Sequence, residues 1–203
     1  MSRYTGPRLK VMRALGLDLP GLSRKSMAER PNPPGQHGAK QNRKSGFGLQ
    51  LMEKQKLRMN YGLTERQMRR LVLDARKTQG ATGEKIAELL ERRLDNVVFR
   101  AGFAPTIPAA RQLVSHGHLL VNGRRVNIAS YRLRIGDTVA LCAKSAGLYC
   151  VRETLAEPAL TRPEWLHWDD QTRIARVSHL PAADDIPFPV SLQLVVEYYS
   201  QRL

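Results

Sequence analysis

Residues 93–141 run RLDNVVFRAGFAPTIPAARQLVSHGHLLVNGRRVNIASYRLRIGDTVAL, and the changes of periodicity inside this stretch decide the fold. A helical pattern leads into it from Thr82, the expected N-cap, with Glu84 in the first turn. Ile86, Leu90, Leu94, Val97 and Ala101 share one face, Lys85, Arg92 and Asn96 the other, and Arg93 and Arg100 flank the apolar stripe. A second, shorter helix is expected from Thr106 to Gly117, with Pro108 in its first turn, where a missing N–H is harmless, and the glycine as a left-handed stop. Ala110, Leu113 and Val114 would face inward, and Arg111, Gln112 and Ser115 outward. Two strand-like runs then flank Asn122-Gly123, a dipeptide that favours a type I′ hairpin turn because both positions accept positive φ. Tyr131, Leu133 and Ile135 alternate with Arg132 and Arg134 ahead of Gly136-Asp137, which predicts a half-buried strand.

The arginines of this stretch belong to a wider charge pattern. The 203 residues hold 33 Lys+Arg and 18 Asp+Glu, a formal net charge of +15. Residues 1–80 carry 18 basic and 5 acidic side chains, residues 81–150 carry 10 and 5, and residues 151–203 carry 5 and 8. Such an excess favours a polyanionic partner, while 42% hydrophobic residues are enough for a core, so the chain is not a disordered polycation. Cys142 and Cys150 fit neither a disulfide framework nor the paired short spacings of a zinc site. No apolar run approaches the roughly 18 residues of a membrane span, and no signal-like segment opens the chain. No membrane, metal or cofactor is expected.

Upstream, Gly6-Pro7, Pro20-Gly21 and the cluster Pro31, Pro33, Pro34, Gly35 predict an irregular arm over residues 1–45, with cations spaced through it and too little core to fold alone. From Leu49 the pattern turns helical, Gly62 stops it, and Thr64 with Gln67 forms a capping-box start for a helix to about Thr78. Met68, Leu71, Val72 and Ala75 make its apolar stripe, opposite Arg66, Arg70 and Lys77. A solvated face accounts for any one of these cations. Arg66 and Arg70, however, repel across one turn with no Glu between them, and an external anion accounts better for the set. Gly80, Gly83 and Lys85 lack the spacing and preceding strand of a phosphate loop. Downstream, residues 165–169 and 173–180 are expected as strands joined at Asp169-Asp170, and residues 192–199 as a segment returning to the helical part.

Residues 93–141 resemble the RNA-binding module named after the fourth small-subunit ribosomal protein, an αL motif of two helices and a hairpin that grips folded RNA. The module also occurs in pseudouridine synthases, tyrosyl-tRNA synthetases and a heat-shock ribosome-rescue factor. RYTGPRLKVMRALG (residues 3–16), PPGQHG (33–38), FGLQLMEKQKLRMNYGLTERQ (47–67), PEWL (163–166) and VVEYYS (195–200) resemble the bacterial ribosomal protein family itself, in order and across nearly the whole chain. The resemblance implies an α+β protein: a helical N-terminal domain plus the αL RNA-binding module with a small antiparallel β-sheet. The implied segments are the arm (1–45), the helical domain (46–91), the module (92–186) and a C-terminal segment packing back on the helices (187–203).

It further implies a cytoplasmic, ribosome-bound structural protein, or one of the plastid stroma if plastid-encoded. Such a protein is a primary binder of small-subunit ribosomal RNA, nucleating 5′-domain assembly at a multi-helix junction. The fifth and third small-subunit proteins are the implied neighbours, and Lys40 and Arg43 fall beside the path of incoming mRNA, where the family contributes to translational accuracy. Some members carry a cysteine zinc knuckle in the arm, and this arm has no cysteine. The expected RNA-binding set is Arg3, Arg8, Lys10, Arg13, Lys44, Lys54, Lys56, Arg58, Arg66, Arg69 and Arg70, followed by Arg92, Arg93, Arg100, Arg111, Gln112, His116, His118, Arg124, Arg125, Arg132 and Arg134.

Two other classes remain to be weighed. Arg93-Leu94-Asp95 reproduces the tripeptide around the catalytic aspartate of pseudouridine synthases, yet too little chain remains for a catalytic domain, and Asp95 is expected to pair with a neighbouring arginine. His116 and His118 have no third ligand in sequence, which favours turn geometry and RNA contact over metal. A nonspecific RNA chaperone satisfies the charge alone. It would ignore RNA shape and lose its affinity steeply with salt.

Overall fold

A computed structural model describes residues 4–40, 43–200 and 202. Among them the helices are α1 (Arg8–Leu15), α2 (Gly46–Asn60), α3 (Glu65–Arg76), α4 (Thr82–Glu91), α5 (Leu94–Arg100), α6 (Ile107–Ser115), α7 (Tyr149–Ala156) and α8 (Leu192–Ser200). The strands are β1 (Leu119–Val121), β2 (Arg124–Arg125), β3 (Thr138–Leu141), β4 (Leu166–Asp169) and β5 (Ile174–Val177). The architecture is α+β. The chain divides into two compact units, residues 1–87 with 186–203 and residues 88–185, and the division falls within α4.

In the first unit α2 packs against α8 and receives α1. The capping box is formed: the Thr64 hydroxyl accepts from the Gln67 N–H, and the Gln67 side chain accepts from the Thr64 N–H. Met68, Leu71, Val72 and Ala75 are buried as the stripe requires, while Arg66, Arg69, Arg70 and Lys77 are exposed. The arm departs from expectation. Gly6-Pro7 and Gly16, a left-handed stop at φ 68°, confine α1 to eight residues rather than preventing it. Met12, Leu19 and Leu22 join the core, and the Gly21 N–H donates to the buried Asn60 side chain at 2.9 Å, so this part of the arm is folded protein. The PPGQHG loop closes so tightly that a Cβ on Gly38 would sit 1.9 Å from the Pro33 carbonyl oxygen.

The second unit is built on a five-stranded antiparallel sheet in the order β2-β1-β3-β5-β4. The hairpin turns at Asn122 (φ 50°) and Gly123 (φ 75°), in the register Val121↔Arg124, as the Asn-Gly signal demands. Asn122 adds a tie that its turn role does not need: its side chain accepts from the Thr138 N–H and donates to Asp137. The Thr106 cap of α6, the early Pro108 and the positive φ at Gly117 also form. At the other end of the sheet, β4 and β5 pair across Asp169 and Ile174.

Three local expectations fail. The long helix expected from Thr82 to Ala101 is broken at Arg92–Arg93, and Thr82 is its first residue rather than its cap. Arg93 is extended (ψ 137°) and bridges Arg132, while the Leu94 and Asp95 N–H groups donate to the Tyr131 and Ala129 carbonyls. The same stitching explains the missing strand at 131–135. Its backbone serves the start of α5, so only Leu133 is buried, while Tyr131 and Ile135 stay exposed. Residues 145–162, for which no element was expected, contain α7.

Candidate nucleic-acid interface

The expected cations of the second unit separate into two sets. One set is turned inward. The Asp95 carboxylate is wholly buried at the start of α5; Arg93 donates to both of its oxygens (3.0 and 2.9 Å), and Arg111 on α6 donates two bonds to one of them (2.6 and 3.0 Å). Asp95 therefore pins two helices together, the pairing expected for it, extended across elements. Arg100, expected on the flank of the stripe, is only 6% exposed; it pairs with buried Glu91 and donates to the Asp185 carbonyl at 2.7 Å. Arg92 is half-buried, paired with Glu88 at 2.6 Å and bonded to the Leu133 carbonyl at 2.8 Å. Asn96, expected on the outer face, is buried and donates to Glu91.

The other set faces solvent: Gln112 and His116 at the end of α6, Arg124 and Arg125 on the hairpin, and Arg132 and Arg134 beyond it. The Arg125 stem lies over Gly117, where an added Cβ would come within 3.1 Å of its Cδ. Glycine there is fixed both by its φ of 73° and by this contact. His118 is half-buried with Nδ1 2.8 Å from the Ser145 hydroxyl, and its ring lies 6.1 Å from that of His116. No cluster of potential metal ligands occurs among the described residues.

The first unit shows the same division. Lys54, expected to contact RNA, is 3% exposed, pairs with Glu65 at 2.9 Å and lies 4.7 Å from the Tyr198 ring centroid. Burial pushes the Glu65 carboxyl up, but hydrogen bonds from Lys54 and Tyr199 and the nearby charges of Lys54 and Arg58 outweigh it, so the net shift is downward. The Tyr199 hydroxyl, bonded to Glu65 at 2.8 Å, is raised above the ordinary tyrosine value, by burial first and by that bond second. Together with Arg58, Arg69 and Arg202 these side chains line an open cavity of about 600 Å3. Lys56 pairs with Glu53, and Arg58 bonds Gln55. In the arm, Arg8 and Arg13 donate to the Leu22 and Asn32 carbonyls, and Lys10, Lys40, Arg43 and Lys44 are exposed. Arg3 lies outside the described residues.

Sequence reasoning missed Arg152, Arg162 and Arg173, which line a cleft beside Trp168. Scattered over a helix, a connector and a turn, they share no spacing that a sequence displays.

Residues 92–139, whose two helices and Asn-Gly hairpin present cations beside a small sheet, match the S4 domain, which makes this an S4-domain protein. The chain belongs to the uS4 family of small ribosomal subunit proteins. Residues 3–91 match the ribosomal protein S4/S9 N-terminal domain, and residues 92–139 match the S4 domain. The chain is 66% identical over 205 residues to small ribosomal subunit protein uS4 of Methylobacillus flagellatus, and 62% identical over 205 to uS4B of Nitrosomonas europaea. It is 50% identical over 204 residues to uS4 of a Synechococcus strain; each match covers 100% of both chains.

Proposed function

We propose that the protein is a structural constituent of the small ribosomal subunit that binds ribosomal RNA early, at a multi-helix junction of the 5′ domain, and so nucleates assembly there. The observation that carries this is the end-to-end similarity to uS4 proteins at up to 66% identity, with no segment of the chain left over. The distribution of cations supports it. Arg124, Arg125, Arg132 and Arg134, with Gln112 and His116, offer the module's solvent-facing contacts, and Arg66, Arg69 and Arg70 offer those of the helical segment 46–91. Arg92, Arg93, Arg100, Arg111 and Lys54 act mainly by fixing the shape on which those contacts stand, since their charges are engaged inside the protein. Arg8, Lys10, Arg13 and Lys44 of the arm lie along RNA, and Lys56, Arg58 and His118 contribute at the margins.

In this proposal Lys40 and Arg43 face incoming mRNA, where the protein bears on translational accuracy, and the fifth and third small-subunit proteins are its neighbours. The segment 187–203 belongs with the helical domain rather than with the module of residues 92–186. An exposed set of arginines suits recognition by shape and phosphate rather than by base stacking. The pseudouridine synthase alternative is weakened because Asp95 is 0% exposed and clamped by two arginines, out of reach of a substrate.

Sedimentation tests the proposal. The protein should co-migrate with the small subunit at a ratio near one through a high-salt wash. A protein stripped from the subunit as salt rises, and equally bound to unrelated RNA, would point to the nonspecific chaperone instead.

A further inference from the structure

Outside the residues that match either family domain, the second unit holds a cleft of about 350 Å3 lined by Arg152, Leu155, Arg162, Trp168, Asp170 and Arg173. Its parts are held in place before any ligand arrives. The Trp168 indole donates to Asp170 at 2.7 Å and meets the Phe103 ring edge-on at 5.4 Å. The Arg162 guanidinium lies 4.3 Å from the Trp168 ring centroid, while its Nε donates to the Ala101 carbonyl at 3.0 Å. That pins the plane of the fork and leaves its terminal nitrogens for another partner.

Arg173 supplies an independent observation. It sits at φ 54°, a left-handed conformation that glycine adopts freely and that costs an arginine strain. The turn that imposes it is built by Asp169, whose carboxylate accepts from the Thr172 hydroxyl and from the Gln171 and Thr172 N–H groups. A cation is thus held where the backbone would be better served by no side chain at all. Arg152 and Arg173 are exposed and form no ion pair among the described residues, and the cleft that they line with Arg162 holds one carboxylate, Asp170, which accepts from the indole.

We propose that this cleft binds a phosphate group of RNA, with Arg152, Arg162 and Arg173 as its ligands, as a contact separate from the S4 domain. The inference rests on the proposed RNA-binding function. Three arginines lining one cleft suit a phosphate group, whose oxygens accept hydrogen bonds from guanidinium forks. An extended acidic peptide would call for a row of free backbone groups, which a cleft lined by side chains does not offer.

The test compares the full-length wild type with the double variant Arg152→Gln/Arg173→Gly, and with Arg176→Gln, an exposed arginine of β5 outside the cleft, as control. Filter binding to a 5′-domain junction RNA across a salt series should show a loss of about five- to tenfold for the double variant and a salt slope smaller by about one, with the control unchanged. Arg173→Gly alone should melt at the same temperature as the wild type or higher, because glycine relieves the backbone. The Trp168 indole N–H resonance should move with a short RNA in the wild type and stay still in the double variant. Equal affinity and equal slope for wild type and double variant would overturn the cleft while leaving the RNA-binding function intact. A wild type that fails to bind the junction RNA overturns the function itself. An indole that responds to inorganic phosphate or to an acidic peptide, but not to RNA, also overturns the assignment.

Discussion

Arg111 reaches from α6 to Asp95 at the start of α5 and holds one buried carboxylate oxygen at 2.6 Å, sharing the group with Arg93. Asp95 is 0% exposed, so its charge is tolerable only because two guanidinium groups answer it. Replacing it with alanine strands both arginines against the helix pair. Asp95→Ala should lower the stability of the protein by about 3–5 kcal/mol, read from urea unfolding. It should abolish no chemistry, and RNA incubated with wild type should contain no pseudouridine. An Asp95→Ala protein as stable as wild type would dismiss the clamp.

Reversing Arg111 would unsettle the same clamp, so it makes a poor probe of RNA contact even though the sequence points to it. Arg124 and Arg125 are the clean pair, both exposed on a two-residue strand. Arg124→Glu/Arg125→Glu should reduce the salt slope of binding to junction RNA by about one to two, at about one per phosphate contact. The melting temperature should hold within a degree or two. An unaltered slope would remove the hairpin from the interface.

Glu65 makes the first unit acid-sensitive. Its carboxyl is lowered in the folded protein from the ordinary value of 4.5, so the folded state binds its proton less readily than the unfolded chain. The stabilisation it brings is present in full above that value and is lost as the pH falls through the lower folded one. Chemical denaturation between pH 6 and pH 3 should therefore show a steeper loss for wild type than for Glu65→Gln, which begins less stable and changes less. Parallel curves would show that the Lys54–Glu65–Tyr199 arrangement carries no proton linkage.

The PPGQHG loop depends on a missing side chain. A Cβ at Gly38 would lie 1.9 Å from the Pro33 carbonyl, a contact with backbone that no rotamer relieves. Gly38→Ala should open the loop and speed proteolysis within residues 31–40, whereas Gly46→Ala, where the space is empty, should leave it unchanged. Identical cleavage rates in both variants would contradict the closed loop.

How far the sequence reached depended on whether its signals were local. The Thr64–Gln67 box, the Met68 to Ala75 stripe, the Thr106 cap and the Asn122-Gly123 turn are each decided within a few residues, and each formed. The break at Arg92–Arg93 was illegible because it is imposed by residues 129–133, whose backbone takes the hydrogen bonds that a continuous helix would have used. Periodicity also placed arginines on faces without saying which carboxylates awaited them. Glu91 and Asp95, both fully buried, convert Arg100 and Arg93 from apparent surface contacts into interior struts. Met12 and Leu19 were hidden for a related reason: Pro and Gly punctuation shortens an arm's helix without preventing its apolar residues from docking.

The two units differ in how the chain enters them. Residues 88–185 are continuous, whereas the other unit needs both residues 1–87 and residues 186–203. During synthesis the continuous unit can therefore close first, while Lys54 and Glu65 wait for Tyr198 and Tyr199 to emerge. Until then the earliest-made and most basic part of the chain lacks the helix that completes its core, and closing it requires contacts of long sequence separation. The order of synthesis thus lets the continuous unit close while the other, more cationic one still waits for its last helix.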